Sequence, residues 1–207
     1  MLFEHAVLEP GTRALLRRLA GILAGDHFFL VGGTALAIQI GHRRSIDLDF
    51  FTREAFDPDK VLESLSATLP HDEILVGSRA PQTLNLTLCG VKVDLIRYGY
   101  PLLEPLVQAD GYILLALPDI AAMKLAAITN RGSKKDFIDL YFLLERYPIQ
   151  TVLEFYQRKF PQHDPFFVIR SLAYFDDADR EPAPVMLREA SWGLVKEAVA
   201  NAVRTLG

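Results

Sequence analysis

Two aspartates separated by a single leucine stand inside residues 45–51, SIDLDFF, a stretch that otherwise alternates like a strand. Aspartate is depleted in strands, so the pair calls for a reason. Side chains at i and i+2 of a strand point the same way, which aims the carboxylates of Asp47 and Asp49 at one spot. Ile46, Leu48 and Phe50 fall on the other face. Two carboxylates so close repel unless a cation sits between them or one takes a proton. A hard divalent ion such as Mg²⁺ wants oxygen ligands and keeps open positions for phosphate oxygens. On its own the pair fits an exposed strand edge as well as a metal seat.

Three other features weigh on that choice. Asp94 lies in KVDLIRYG, where Val91, Val93 and Leu95 face one way and Lys92, Asp94 and Ile96 the other. A neighbouring strand could bring Asp94 beside the pair and complete a three-carboxylate cradle. Upstream, Gly32-Gly33-Thr34 ends one strand and begins a helix, with Thr34 as the expected cap. Glycine lets the backbone approach a phosphate, and first-turn N–H groups with the helix dipole favour an anion there. Downstream, Lys124 shares a helical stripe with Ile120, Ala127 and Ile128. A cation on that buried face either snorkels out or reaches a triphosphate as a point charge. Ser133 reads as an N-cap, with Asp136 three residues on in a variant capping box. Asp139, flanked by Phe142 and Leu143, needs a partner, either Lys135 four residues earlier or a basic residue elsewhere.

Strand-like runs (HFFLVGG, EILVGS, TLNLTLCG, VKVDLIRYG) mix with helices through the first hundred residues. Cys89-Gly90 signals a hairpin between the last two runs. From Leu117 onward five segments carry helical periodicity. The expectation is an α/β core over residues 1–116, built as α+β on a mixed, partly antiparallel sheet. A helical part over residues 117–207 follows. Half the residues are apolar and 23% are charged, a globular balance. No apolar run is long enough for a membrane span, and the first ten residues lack the pattern of a signal peptide. Cys89 is the only cysteine, which excludes an internal disulfide and points to the cytoplasm. A net charge of −4 argues against coating nucleic acid by bulk electrostatics. His42-Arg43-Arg44 and the segment 131–135 are the two places where a local basic edge could form.

Together these parts describe metal-assisted transfer at phosphorus. One ion lowers the pKa of an attacking hydroxyl while another neutralises charge on the leaving phosphates. Two Mg²⁺ ions are expected, with Mn²⁺ as the substitute. A hydrolase using the same carboxylates is weaker, because His5, His27, His42, His71 and His163 share no motif spacing.

Gly32-Gly33-Thr34, RRSIDLDFF, KVDLI, MKLAAI and RGSKKDFIDLYFLL, in that order, resemble the AbiEii/AbiGii toxin family of DNA polymerase β-like nucleotidyltransferases. The likeness runs from about residue 28 to 144, and LAYFDDAD and WGLVKEAV resemble the family's C-terminal part. Thr34 stands where the wider superfamily prefers serine. The resemblance implies a minimal nucleotidyltransferase fold and transfer of a nucleotide from an NTP with pyrophosphate leaving. It implies an NTP–metal site at the glycine turn and Asp47-Asp49, with Lys124, Lys135, Asp136 and Asp139 as signatures nearby. A toxin role in a toxin–antitoxin or phage-defence pair is also implied, with a separately encoded antitoxin.

The site expected here has Asp47, Asp49, Asp94 and Lys124 as catalytic residues, the three aspartates also binding metal. Nucleotide binding falls to Gly32, Gly33, Thr34, Arg44, Ser45, Lys135, Asp136 and Asp139. The acceptor hydroxyl could belong to a tRNA end, a protein or a small molecule. The alternative reading is a nucleotide-binding interaction module with little turnover.

Overall fold

Cys89 and Gly90 both take positive φ, 50° and 77°, and close a two-residue turn between two antiparallel strands. Consecutive positive φ values match the right-handed twist of the flanking strands, which makes the hairpin tight and fixes its register. The computed structural model describes residues 2–206. The chain divides into two units, each built on its own core. One holds Met1–Ile40, Ser45–Gly99 and Leu106–Leu115; the other holds Gly41–Arg44, Tyr100–Pro105 and Ala116–Gly207.

The first unit carries the whole sheet. Its strands are β1 (Phe29–Leu30), β2 (Leu48–Thr52), β3 (Ile74–Ala80), β4 (Thr83–Leu88), β5 (Val91–Arg97), β6 (Val107–Ala109) and β7 (Tyr112–Leu114). They are ordered β3-β4-β5-β2-β1-β7-β6. The β2–β5 and β1–β7 pairs are parallel and the other neighbours antiparallel, so the sheet is mixed. Around it lie α1 (Glu4–Val7), α2 (Pro10–Leu23), α3 (Gly32–Ile40) and α4 (Pro58–Thr68). Leu15, Leu16, Leu19 and Leu23 of α2 are buried, the stripe that the periodicity predicts. α4 opens on Pro58 at its first turn, and Asp57 caps it by accepting the Asp59 N–H at 3.0 Å.

Alternation holds where it matters for the site. Leu48, Phe50, Val93 and Leu95 are at most 3% exposed, so the carboxylates of β2 and β5 belong to the opposite face. Ile46 differs from expectation: it is 70% exposed, because β2 starts only at Leu48.

The second unit is helical: α5 (Leu117–Asn130), α6 (Lys134–Leu144), α7 (Ile149–Lys159), α8 (Pro165–Ser171), α9 (Asp176–Arg180) and α10 (Trp192–Arg204). α5 packs against α6, α7 and α8, and α6 against α10. A fully buried ion pair joins Lys159 of α7 to Asp119 of α5 at 2.6 Å. Asp119 also accepts the N–H groups of Leu103 and Glu104, and Lys159 donates to the carbonyl of Pro101. That set ties the 100–105 segment to the helices, and nothing in the helical periodicity announces it. No helix among the described residues is long and apolar enough to cross a membrane.

Candidate functional site

The parallel register of β2 and β5 sets Asp49 opposite Asp94 and Leu48 opposite Val93. Directly opposed residues share a face, so two of the expected carboxylates stand side by side on the polar face. Asp47 lies two residues before Asp49, immediately ahead of β2. Across the hairpin, Asn85 of β4 opposes Asp94.

Asp94 is held on both oxygens. Asn85 Nδ2 donates to one at 2.8 Å, and Lys92 Nζ approaches the other at 2.8 Å. The Lys92 ammonium is held above its ordinary pKa by that hydrogen bond first, against the cost of burial, and then by the charges of Asp94, Asp49 and Asp47. All three carboxylates therefore act on one cation. As the side chains stand, no three His, Cys, Asp or Glu residues among the described residues are grouped closely enough to hold a metal ion.

Gly32 adjoins the same face. It has φ +68°, and a Cβ there would meet Asp49 Oδ2 at 2.7 Å. The first residue of α3 and the carboxylate thus share a space that only glycine leaves open. Val31 N–H donates to the Asp49 carbonyl at 2.8 Å, fixing the approach. Gly32→Ala should cost about 1–2 kcal/mol from the left-handed backbone and the forced contact. Urea unfolding reads this cost, and unchanged stability would contradict the close approach.

Thr34 does not cap. The helix begins two residues earlier, and Thr34 is buried in its first turn. Its hydroxyl hydrogen-bonds Ser45 Oγ at 2.7 Å and also donates to the Asp47 carbonyl. Those bonds tie the start of α3 to the segment leading into the aspartates. What Thr34 can offer an anion is its backbone N–H; its hydroxyl is engaged, and so is the buried Ser45.

The expected lysine and aspartates of the second unit form a cluster of their own. Lys124 Nζ lies 2.8 Å from Asp136 and 2.5 Å from Asp139. Asp139 also accepts from Arg43 Nε at 2.6 Å, Arg43 Nη2 at 2.9 Å and His42 Nε2 at 2.7 Å. Its partner is therefore not Lys135 but residues almost a hundred positions earlier, with Lys124. Asp136 further accepts from Arg131 and from Ser133 Oγ, the latter at 2.6 Å. Ser133 does hold the N-cap position of α6, but its hydroxyl gives its hydrogen to Asp136 instead of accepting a helix N–H.

Burial would push both carboxyls up. The charges of Lys124 and Arg43 and the bonds from His42 and Arg43 instead hold Asp139 well below the usual range, and Lys124, Arg131 and Ser133 bring Asp136 down to about 2. Burial disfavours the Lys124 ammonium, yet Asp139 and Asp136 raise its pKa overall. His42 is driven down by burial despite its bond to Asp139. Its Nδ1 is buried without a hydrogen-bond partner, so a second ring proton would have nothing to bond.

Neither expected basic edge is a simple surface patch. His42 and Arg43 are buried against Asp139, while Arg44 is exposed. Their segment is anchored by backbone bonds between His42 and residues 187–188 and between Arg44 and Val185. In the 131–135 segment Arg131 pairs with Asp136, and Lys134 is buried, its ammonium 5.3 Å from the Trp192 ring centre.

A family model described as "Nucleotidyl transferase AbiEii toxin, Type IV TA system" matches residues 13–87 and 91–204. An uncharacterised protein of Aquifex aeolicus (strain VF5), aq_aa25, is 37% identical over 183 residues, 84% of this chain and 86% of its own. Among solved structures, JHP933 from Helicobacter pylori aligns with a TM-score of 0.62 at 19% identity, covering 100% of this chain and 93% of that one. MenT4, the nucleotidyltransferase toxin Rv2826c from Mycobacterium tuberculosis H37Rv, aligns at 0.56 and 16% identity, covering 96% and 85%. The Megavirus polyadenylate synthase aligns at 0.50 and 18% identity, covering 70% of this chain and 34% of that one. At these identities the structures speak for the fold.

Proposed function

The chain belongs to the AbiEii nucleotidyl transferase toxin family of type IV toxin–antitoxin systems, and from that premise we propose a divalent-cation site at Asp47, Asp49 and Asp94. There the protein moves a nucleotide from an NTP to an acceptor hydroxyl, with pyrophosphate leaving. The observation that carries the proposal is the β2–β5 register, which sets Asp49 against Asp94 on one face, with Asp47 immediately ahead of β2.

The residues fit such an ion by the chemistry of the donor set. Carboxylate oxygens are what Mg²⁺ and Mn²⁺ take. A cation, the Lys92 ammonium, already pairs with Asp94 and feels the charges of Asp49 and Asp47. Bound ions would lower the pKa of the acceptor hydroxyl and offset the charge on the leaving phosphates.

The chain's own part is positioning and proton handling. The open backbone at Gly32 and Gly33, with the N–H groups of the first α3 turn including Thr34, seats phosphate oxygens at the positive end of the helix. Arg44 and Ser45 lead into the aspartates and are proposed to border the nucleotide. Asp94 takes the acceptor's proton as its oxygen attacks Pα and the Pα–O–Pβ bond breaks. For that, Lys92 must release the Asp94 oxygen it holds. Lys124, Lys135, Asp136 and Asp139 retain a proposed role near the nucleotide. On the geometry, Lys124, Asp136 and Asp139 first act as a buried tie within the helical unit.

The acceptor is a tRNA end, a protein hydroxyl or a small molecule, and a separately encoded antitoxin is the proposed regulatory partner. A reducing cytoplasm suits the single cysteine.

The test is incubation of the protein and Mg²⁺ with each α-labelled NTP and a cell extract. One acceptor class should gain label as pyrophosphate appears in equal amount. NTP binding without pyrophosphate release would favour the binding module. Phosphate release with no labelled acceptor would favour a hydrolase.

A further inference from the structure

We infer that Lys92 is an internal counter-cation, occupying the cation position among Asp47, Asp49 and Asp94 until a divalent ion with a nucleotide displaces it. The inference rests on the carboxylate site proposed above and adds a residue to it.

Asp49 stands opposite Asp94, Lys92 reaches Asp94 at 2.8 Å, and Asp47 lies immediately ahead of β2, its charge also acting on Lys92. Four neighbouring side chains thus carry three negative charges and one positive. Without the lysine, two strands would bring three like charges together, which is destabilising.

The two partners of Asp94 differ in how firmly they are held. Asn85 is short, sits directly across the hairpin, and donates to Oδ1. Lys92 bonds Oδ2 from a long stem whose side chain is 60% exposed, while that of Asp94 is 13% exposed. A mostly exposed ammonium loses little on returning to water. Oδ1 is therefore the fixed acceptor and Oδ2 the exchangeable one.

The same lysine has a second place to go. A triphosphate seated beside the carboxylates offers oxygens within reach of a flexible four-carbon stem, and an ammonium binds phosphate as a point charge. Lys92 then opposes binding of a bare metal ion but not of a metal–NTP complex, which brings its own negative charge. The site would load metal and nucleotide together, and the free protein would hold divalent ions weakly.

The experiment is a Mn²⁺ titration of the full chain followed by electron paramagnetic resonance, without nucleotide. It compares wild type, Lys92→Met, Lys92→Arg and Asp49→Asn, each first checked for an unchanged melting temperature. Lys92→Met keeps the length and removes the charge, so its Mn²⁺ Kd should fall about three- to tenfold. Lys92→Arg should stay near wild type, and Asp49→Asn should lose the site. Binding seen only in Lys92→Met would also support the inference. A Lys92→Met Kd equal to or weaker than wild type, with Asp49→Asn still abolishing binding, overturns the role of Lys92 and leaves the carboxylate site standing. Binding absent from both wild type and Lys92→Met, or unaffected by Asp49→Asn, overturns both.

Discussion

Asp49→Ala should reduce Mg²⁺-dependent label transfer from an α-labelled NTP by at least about a thousandfold while the protein stays folded. Asp49 faces Asp94 across β2 and β5 and adjoins the first residue of α3. In the proposed site its loss removes a cation ligand at the point where the triphosphate and the acceptor would meet. Stability should move by less than about 1 kcal/mol in either direction. The substitution gives up a favourable carboxylate at a helix N-terminus and relieves repulsion among like charges. Loss of activity without loss of fold separates a site residue from a structural one. Transfer at the wild-type rate by the variant would remove Asp49 from the mechanism.

The largest stability effect belongs to the other cluster. Asp139→Ala should destabilise the chain by about 3–5 kcal/mol, a fall in Tm of roughly 6–20 °C for a chain of this size. Asp139 is fully buried and answers Arg43, His42 and Lys124 together, so its removal leaves buried cations uncompensated. Replacing Arg79, whose pair with Asp59 is exposed on both sides, should cost less than about 1 kcal/mol. Equal effects of the two substitutions would contradict this account of the cluster.

The same groups set the acid response, in two windows. His42 has its folded pKa lowered from 6.5, so the unfolded chain takes up a proton that the folded chain refuses. That contribution to stability is present above pH 6.5 and declines below it. Asp136 and Asp139 are depressed from 3.8, the former to about 2, so their contribution is present above about pH 4 and is lost as the pH falls toward 2. A melting temperature that stays flat from pH 7 to 5 would contradict a neutral, buried His42.

Much of the site half was legible because strands and tight turns are local. Alternation alone assigns Lys92 and Asp94 to one face of β5, and the buried Val93 and Leu95 bear this out. A two-residue turn at Cys89-Gly90 makes residues equally far from it face each other, so the pairing of Asn85 with Asp94 is within reach of the sequence. What alternation cannot give is which oxygen of Asp94 each neighbour takes. It also misplaced Ile46, where the apolar spacing begins two residues ahead of the strand itself. Thr34 misled for a related reason: a hydroxyl after a glycine turn suits a cap, but the helix accepts Gly32 and Gly33 into its first turn and buries the threonine.

The charged cluster was half legible. A buried carboxylate at 139 demands a cation, and that demand was visible in the helical pattern. The identity of the cation was not, because Coulomb attraction has no sequence period. Arg43 and His42 lie 96 and 97 positions away from Asp139, and tertiary packing alone selects them over Lys135. Reading those two residues as part of a basic surface edge failed for the same reason.

The proposed activity depends on a divalent-cation and triphosphate seat at the three aspartates beside α3. Its most direct measurement is an anomalous difference map from crystals grown with Mn²⁺ and an NTP analogue blocked at the α–β bridge. The predicted result is a Mn²⁺ peak about 2.1 Å from oxygens of Asp47, Asp49 and Asp94, with the triphosphate on the first turn of α3. A well-occupied analogue lying elsewhere, or a Mn²⁺ peak away from these carboxylates, would contradict it.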